Sequence, residues 1–395
     1  MNNYPKITLK SGKDEAVRRF HPWIFSGAIK KIYGEPDEGD VVEVFSNHDE
    51  YLGTGHYQTS TITVRVFSFQ QLEPDAAFWK SKLQAAYDYR KALGMVDNTE
   101  TNVYRLVHAE GDGLPGLILD YYNGTIVIQS HSIGMHLIKA ELVEGLKEIY
   151  GDRLKAVYDK SSETLPKMSK ISAEDGYLYG NSGANEVTEN GHKFIVDWER
   201  GQKTGFFIDQ RENRKLLERY AANKKVLNTF CYTGGFSVYA LKAGASEVHS
   251  VDSSAKAIDL LEKNIEVNHI DPARHQSFQV DAIDYLKEIE DKYDVIILDP
   301  PAFAKHHDAR QHAIQGYKRI NLQAMKQIRK GGFIFTFSCS QVIDKNLFTS
   351  TIISAAILSG RNVKILHHLT QPPDHPVSAF HQEGEYLKGL VLFVE

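Results

Sequence analysis

From about Lys193 onward the chain alternates short apolar runs with helical stretches, and this alternation restricts the fold more than any other feature. KVLNTF, SEVHSVD, SFQVD, YDVIILD and GGFIFTFS are five β-rich runs, and the patterning between them predicts helices starting near Phe236, Ser253, Ala282 and Gln315. Strands that return through crossover helices build a parallel sheet covered on both faces. In such sheets ligands sit beyond the carboxyl ends of the strands. Those ends are therefore where chemistry is sought.

The first run leads into LNTFCYTGGFS, where Gly234 and Gly235 let the backbone approach a ligand and the next helix offers its free first-turn amides. The G-x-G-x-x-G spacing of a dinucleotide site is missing, which argues against a nicotinamide dehydrogenase. The second run ends in Asp252, 18 residues after Gly234, close to the roughly 20 at which a carboxylate meets both ribose hydroxyls of a nucleoside. The third ends in Asp281, placed to accept from an adenine amino group. Each Asp also opens a helix, and a plain N-cap is the competing reading.

The fourth run, DVIILDPPAFAK, ends in Asp299, Pro300 and Pro301, followed by Phe303 and Lys305. The prolines stiffen the backbone around the carboxylate, and the aromatic two residues on can stack on a flat ring. A DPP loop in this position is the nucleobase clamp of many methyltransferases that act on planar nitrogen heterocycles. The fifth run ends in FSCS. In a sheet of order 3-2-1-4-5 strands four and five are neighbours, so Asp299 and Cys339 can face one substrate. A lone cysteine more often serves as a small buried hydrophobe, and this is the expectation for Cys231 within the glycine loop. Tyr317 and Asn321, four apart on a helix, either pack and cap or reach the same place.

The rest of the chain differs in character. Up to about Phe69 short β-like runs such as DVVEVF and TITVRVF lie between glycine turns, and LEPDAAFWKSKLQAAYDYRKAL then has helical periodicity. RLVHAEGDGLPGLILDYYNGTIVIQS, a helix near 134–150 and a strand near 156–159 suggest a β-β-α-β unit. With 395 residues, 42% of them hydrophobic and 25% charged, the chain can bury two or three cores. Asp and Glu outnumber Lys and Arg by 51 to 46, which gives no global attraction to polyanions. The first 35 residues nevertheless carry Lys6, Lys10, Lys13, Arg18, Arg19, Lys30 and Lys31 against three carboxylates, a local +4 that fits either a solvated surface or a phosphate-contacting face. No apolar run approaches the roughly 20 residues of a membrane span, and MNNYPKITLKSGK lacks the apolar centre of a signal peptide. The expected location is cytoplasmic. Two cysteines with no neighbouring His/Cys cluster predict free thiols and no metal.

HPWIFSGAI, HAEGDGLPGLILDYY, KTGFFIDQRENR, NTFCYTGGFS, DPPAFAK, GYKRINLQAM, FSCS and YLKGLVLF together give the chain an end-to-end resemblance to a known family. It resembles the bacterial 23S rRNA 5-methylcytosine methyltransferases of the large-subunit methyltransferase I family. The resemblance implies an α/β protein of three domains: a PUA-like RNA-binding domain over 1–74, a small α+β central domain over 75–187, and a Rossmann-like class I methyltransferase domain over 188–395. It implies S-adenosylmethionine as cofactor, contacted by Thr233, Gly234, Gly235, Phe236, Asp252 and Asp281, with Gln210 and Arg211 lining the entrance. It also implies 23S ribosomal RNA, unassembled or partly assembled, as partner; a homodimer is compatible with the sequence. One departure is Lys160 in VYDKSS, where an arginine is expected.

Cytosine chemistry explains why a thiol is wanted. Ring atom C5 is electron-poor, and addition of a thiolate to C6 converts C5–C6 into a nucleophilic enamine. Cys339 is the expected nucleophile, Asp299 the group that holds N3 or the exocyclic amine, and Pro300, Pro301, Phe303 and Lys305 the surrounding base contacts. An ordinary thiol has a pKa of about 8.5, so some local activation of Cys339 is expected. The alternatives are methylation of guanine N7 or another base nitrogen, which needs no thiol, and a non-catalytic RNA-binding protein retaining the fold.

Overall fold

The structure is a computed structural model that describes residues 4–166, 171, 173–181, 185–304 and 306–395. The chain divides into two compact units. The first holds the residues up to Val187 together with Val196–Phe206 and Pro373–Gly384; the second holds Thr188–Ile195, Phe207–Pro372 and Glu385–Glu395.

In the first unit the runs read as β-like before Phe69 form a six-stranded sheet in the order Trp23–Phe25, Ile62–Ser68, Tyr51–Tyr57, Val41–Phe45, Lys6–Leu9, Ile29–Tyr33. Alternating Ile7, Leu9, Val42, Val44, Val64 and Val66 fill one core, as period-2 patterning demands. The helix Ala76–Ala92 starts where Asp75 accepts the Phe78 amide at 2.8 Å, and it buries Trp79, Leu83 and Ala86. A five-stranded sheet follows, in the order Gly176–Gly180, Ala156–Asp159, Thr125–Ser130, Leu117–Tyr122, Val103–His108. Lys160 is built in: its ammonium donates to the Trp198 carbonyl and, at 2.6 Å, to that of Gly201.

The second unit contains a seven-stranded sheet: β1 (Lys225–Thr229), β2 (Glu247–Asp252), β3 (His275–Gln279), β4 (Val295–Leu298), β5 (Gly332–Ser338), β6 (Val363–Thr370) and β7 (Lys388–Val394). Their order is β3-β2-β1-β4-β5-β7-β6. The first five strands are parallel and in the predicted order, and β7 inserts antiparallel between β5 and β6. Strand β4, VIIL, is fully buried, as a central parallel strand must be. The helices are α1 (Arg211–Ala221), α2 (Gly235–Lys242), α3 (Ala255–Val267), α4 (Ala282–Tyr285), α5 (Arg310–Gln327) and α6 (Lys345–Ser359). Helix α5 begins five residues before the predicted Gln315, because the polar opening RQHAI has no side-chain cap to mark it.

Candidate active site

The turn from β1 into α2 is held open by unusual backbone. Phe230 and Tyr232 have φ of 55° and 44°, and Gly234 has φ of 77°. Only glycine serves at 234: a Cβ there would lie 2.0 Å from Leu261 Cδ1 as well as in the left-handed region. The Thr233 carbonyl accepts from Asn264 Nδ2 at 2.8 Å, which ties the turn to α3. The side chains of Thr233 and Phe236 are buried, and Phe236 packs on Phe337. Cys231 is also buried, and burial pushes its thiol well above the ordinary range.

Asp252 is not a helix cap. Ser254 caps α3 by accepting the Ala257 amide, whereas Asp252 Oδ2 accepts the Tyr232 amide at 3.0 Å and Oδ1 the Ser254 amide at 2.9 Å. The carboxylate at the end of β2 thus clamps the glycine turn, and each oxygen keeps a second lone pair for a hydroxyl donor. Asp281 does cap: its Oδ1 accepts from Ile283 and Asp284, and its exposed side chain keeps Oδ2 outside the cap. Free first-turn amides of α2, a carboxylate at the end of β2 and another at the end of β3 are the donor and acceptor set that S-adenosylmethionine needs.

At the ends of β4 and β5 the structure gathers more charge than the sequence suggested. Asp299 Oδ2 accepts from Gln210 Nε2 at 3.0 Å, and Gln210 Oε1 in turn accepts from Asn213 Nδ2 at 2.6 Å. Burial and the nearby charge of Asp209 push the Asp299 carboxyl up to about 7. Asp209 itself accepts from Tyr386 Oη at 2.7 Å. Cys339 follows Ser338, whose strand partner across β7 is Lys388. The Lys388 ammonium is buried, donates to the Ser340 carbonyl at 2.6 Å, and is pulled down to about 8 by that burial. Ser340 Oγ donates to the Ala304 carbonyl at 2.6 Å, binding the segment after β5 to the DPP loop.

Burial, Asp299 and Asp209 push the Cys339 thiol up to about 11, against an opposing pull from Lys388, where the sequence led one to expect a lowered value. Phe303 packs its ring against Tyr317, centroids 4.8 Å apart, and closely over Gly316. Pro300 is buried and Pro301 exposed; Lys305 lies outside the described residues. Arg211 is buried and pairs with Glu212. Tyr317 and Asn321 are both buried, with Asn321 bonded to the Tyr317 carbonyl. Asp209, Asn213, Tyr386 and Lys388 escaped the sequence reading, although KTGFFIDQRENR and YLKGLVLF carry them.

A sheet of this order with a glycine turn after β1 and acidic residues ending β2 and β3 defines a methyltransferase that uses S-adenosylmethionine. A family model described as S-adenosylmethionine-dependent methyltransferase matches residues 172–384, and one described as a PUA-like domain matches 7–69. The chain is 39% identical to ribosomal RNA large subunit methyltransferase I of Aeromonas hydrophila, over 98% of each protein. It is 37% identical to that of Salmonella arizonae, over 98% of this chain and 97% of the other. The chain belongs to this family of ribosomal RNA large subunit methyltransferases. Among solved structures, one described as a SAM-dependent methyltransferase from Streptococcus mutans superposes with a TM-score of 0.84 at 25% identity, covering 98% of this chain and 100% of that one. Another, a methyltransferase complexed with SAH, gives 0.85 at 25%, with the same coverage.

Asp252→Ala should weaken S-adenosylmethionine binding by about 1.5–3 kcal/mol, the range for charge-assisted hydrogen bonds. Calorimetric titration reads it, and an unchanged affinity would remove Asp252 from the cofactor site.

Proposed function

We propose that the protein forms 5-methylcytosine in 23S ribosomal RNA through a covalent Cys339 adduct. What supports this is the convergence of Cys339 and Asp299 at the ends of neighbouring parallel strands, with the Ser340–Ala304 hydrogen bond joining their loops. Thr233, Gly234, Gly235 and Phe236 through their backbone, with Asp252 and Asp281 through carboxylates, hold S-adenosylmethionine, which supplies an electrophilic methyl group. Arg211 stands behind the entrance, and Gln210 orients Asp299. Cys339 Sγ adds to C6. Asp299, protonated in part at neutral pH, donates to N3 and stabilises the adduct. Once C5 carries the methyl group, loss of its proton restores the C5–C6 double bond, expels the thiolate and returns the N3 proton. The Lys388 ammonium favours the thiolate in both directions.

RNA recognition is assigned to the N-terminal module. Lys6 and Arg18 are held by Asp49, and by Asp14 and Glu50. Lys10, Lys13, Lys30 and Lys31 are exposed and, among the described residues, lie in no ion pair, which leaves them for phosphates. We place the protein in the cytoplasm; no helix among the described residues is long and apolar enough to cross a membrane. Exposed Ile353, Ile357 and Leu358 on α6 support a homodimer.

The thiol at about 11 favours a second reading, methylation of a base nitrogen with Asp299 taking the proton. Mass-spectrometric mapping of ribosomal RNA from cells lacking the gene distinguishes the two. One 5-methylcytosine should disappear from 23S RNA; loss of a methylated guanine instead would establish the second reading.

A further inference from the structure

The first unit contains a cluster that methyl transfer does not use. His21, His381 and Glu383, up to 362 residues apart in sequence, each place one ligating atom within 4.8 Å of the other two. His21 Nε2 stands 3.4 Å from Glu383 Oε1, and His381 Nε2 stands 3.7 Å from Glu383 Oε2. A tetrahedral ion with bonds of about 2.1 Å separates its ligands by about 3.4 Å, and each imidazole approaches one carboxylate oxygen at close to that spacing, His21 on Oε1 and His381 on Oε2.

His381 makes the cluster more than a chance gathering. It is 3% exposed, and neither ring nitrogen has a hydrogen-bond partner. A buried imidazole always presents one donor and one acceptor, and leaving them unmet costs about 1–3 kcal/mol. Trp23 packs edge-on against the ring, centroids 4.3 Å apart at 68°, and is itself held by its Nε1 bond to Glu110 at 2.8 Å. That contact can satisfy at most one N–H weakly, and it leaves the other ring nitrogen unmet. His21 Nδ1 accepts from the Trp23 amide at 3.2 Å, and its Nε2 faces Glu383 Oε1 at 3.4 Å. Ligation through Nε2 would move the ring proton to Nδ1, where the Trp23 carbonyl, 3.4 Å away, can accept it.

The geometry points to a divalent metal site, with His21, His381 and Glu383 as protein ligands and water in a fourth position. Two imidazoles and one carboxylate in roughly tetrahedral spacing select Zn2+ over Mg2+ or Ca2+, with Co2+ as a spectroscopic substitute. Bound metal would tie the segment Pro373–Gly384 to the N-terminal strands of its own unit.

The test uses the full chain, stripped with chelator and dialysed against Zn2+. About one equivalent should be retained, the thermal midpoint should rise by several degrees, and Co2+ loading should give a visible ligand-field band. His381→Phe keeps the ring packing on Trp23, and Glu383→Gln changes a half-exposed side chain without altering its size. Each variant should lose the band and weaken Zn2+ binding at least about tenfold. Retention of well under one equivalent by the unaltered protein, or binding that persists in both variants, would overturn the assignment. The Glu383→Gln arm keeps the test decisive if His381→Phe fails to fold.

Discussion

Cys339→Ala should abolish methylation, reducing turnover by at least about 10³-fold, while leaving S-adenosylmethionine affinity unchanged. RNA carrying 5-fluorocytosine at the target should trap the unaltered enzyme. After methyl transfer C5 then bears fluorine in place of hydrogen, fluorine cannot depart as a cation, and the C6–Sγ bond persists. A band of protein joined to RNA in a denaturing gel should appear with the unaltered chain and with Cys231→Ala, whose buried thiol lies within the glycine turn, and should vanish with Cys339→Ala. Because the Cys339 thiol is pushed up to about 11 and the Asp299 carboxyl up to about 7, adduct formation should rise with pH up to about 7 and then level off, since each further gain in thiolate is offset by loss of the Asp299 proton. Near-normal methylation by Cys339→Ala would overthrow the covalent mechanism and leave the base-nitrogen reading.

Asp299→Asn should both cripple the enzyme and stabilise the fold above neutrality. A carboxyl raised from 3.8 to about 7 binds its proton more tightly in the folded state than in the unfolded one. Between those values the native protein carries more protons, so stability falls as pH rises from about 4 to about 7 and stays lowered beyond it. Three units correspond to about 4 kcal/mol, and partial solvent access to the side chain reduces this to about 2 kcal/mol. Asparagine does not titrate. The variant should gain in denaturation midpoint relative to the unaltered chain on moving from pH 4.5 to pH 8, while activity drops by about 10²–10⁴-fold through loss of the proton donor. Midpoint curves that run parallel with pH would show that Asp299 carries no such strain.

Much of the second unit was legible because local chemistry and global position coincide there. Apolar β4 runs straight into Asp-Pro-Pro, the glycine turn requires glycine at 234 for steric reasons, and Asp252 ends its strand at the separation a nucleoside needs. The competing cap reading of Asp252 was open in sequence because Asp, Ser and Ser occur in succession, and only the hydrogen bonds assign the cap to Ser254. The first unit was legible as strands through period-2 alternation, whereas the strand Gly176–Gly180 carries little apolar signal and went unseen.

The sequence by itself determined the crossover topology, the family, the cofactor class and the placing of Asp299 and Cys339 after neighbouring strands, because each of these depends on residues adjacent in the chain or on strand ends in a known order. Only the tertiary structure decided the electrostatic state of that pair. Strand β7 runs antiparallel, so its first residue, Lys388, arrives at the edge where the parallel strands end, and Asp209 and Gln210 reach Asp299 from a segment 89 residues away. Desolvation and long-range charge depend on what surrounds a group in space, and no spacing along the chain reports them. The same reason separates His21 from His381 in the sequence and joins them in the fold.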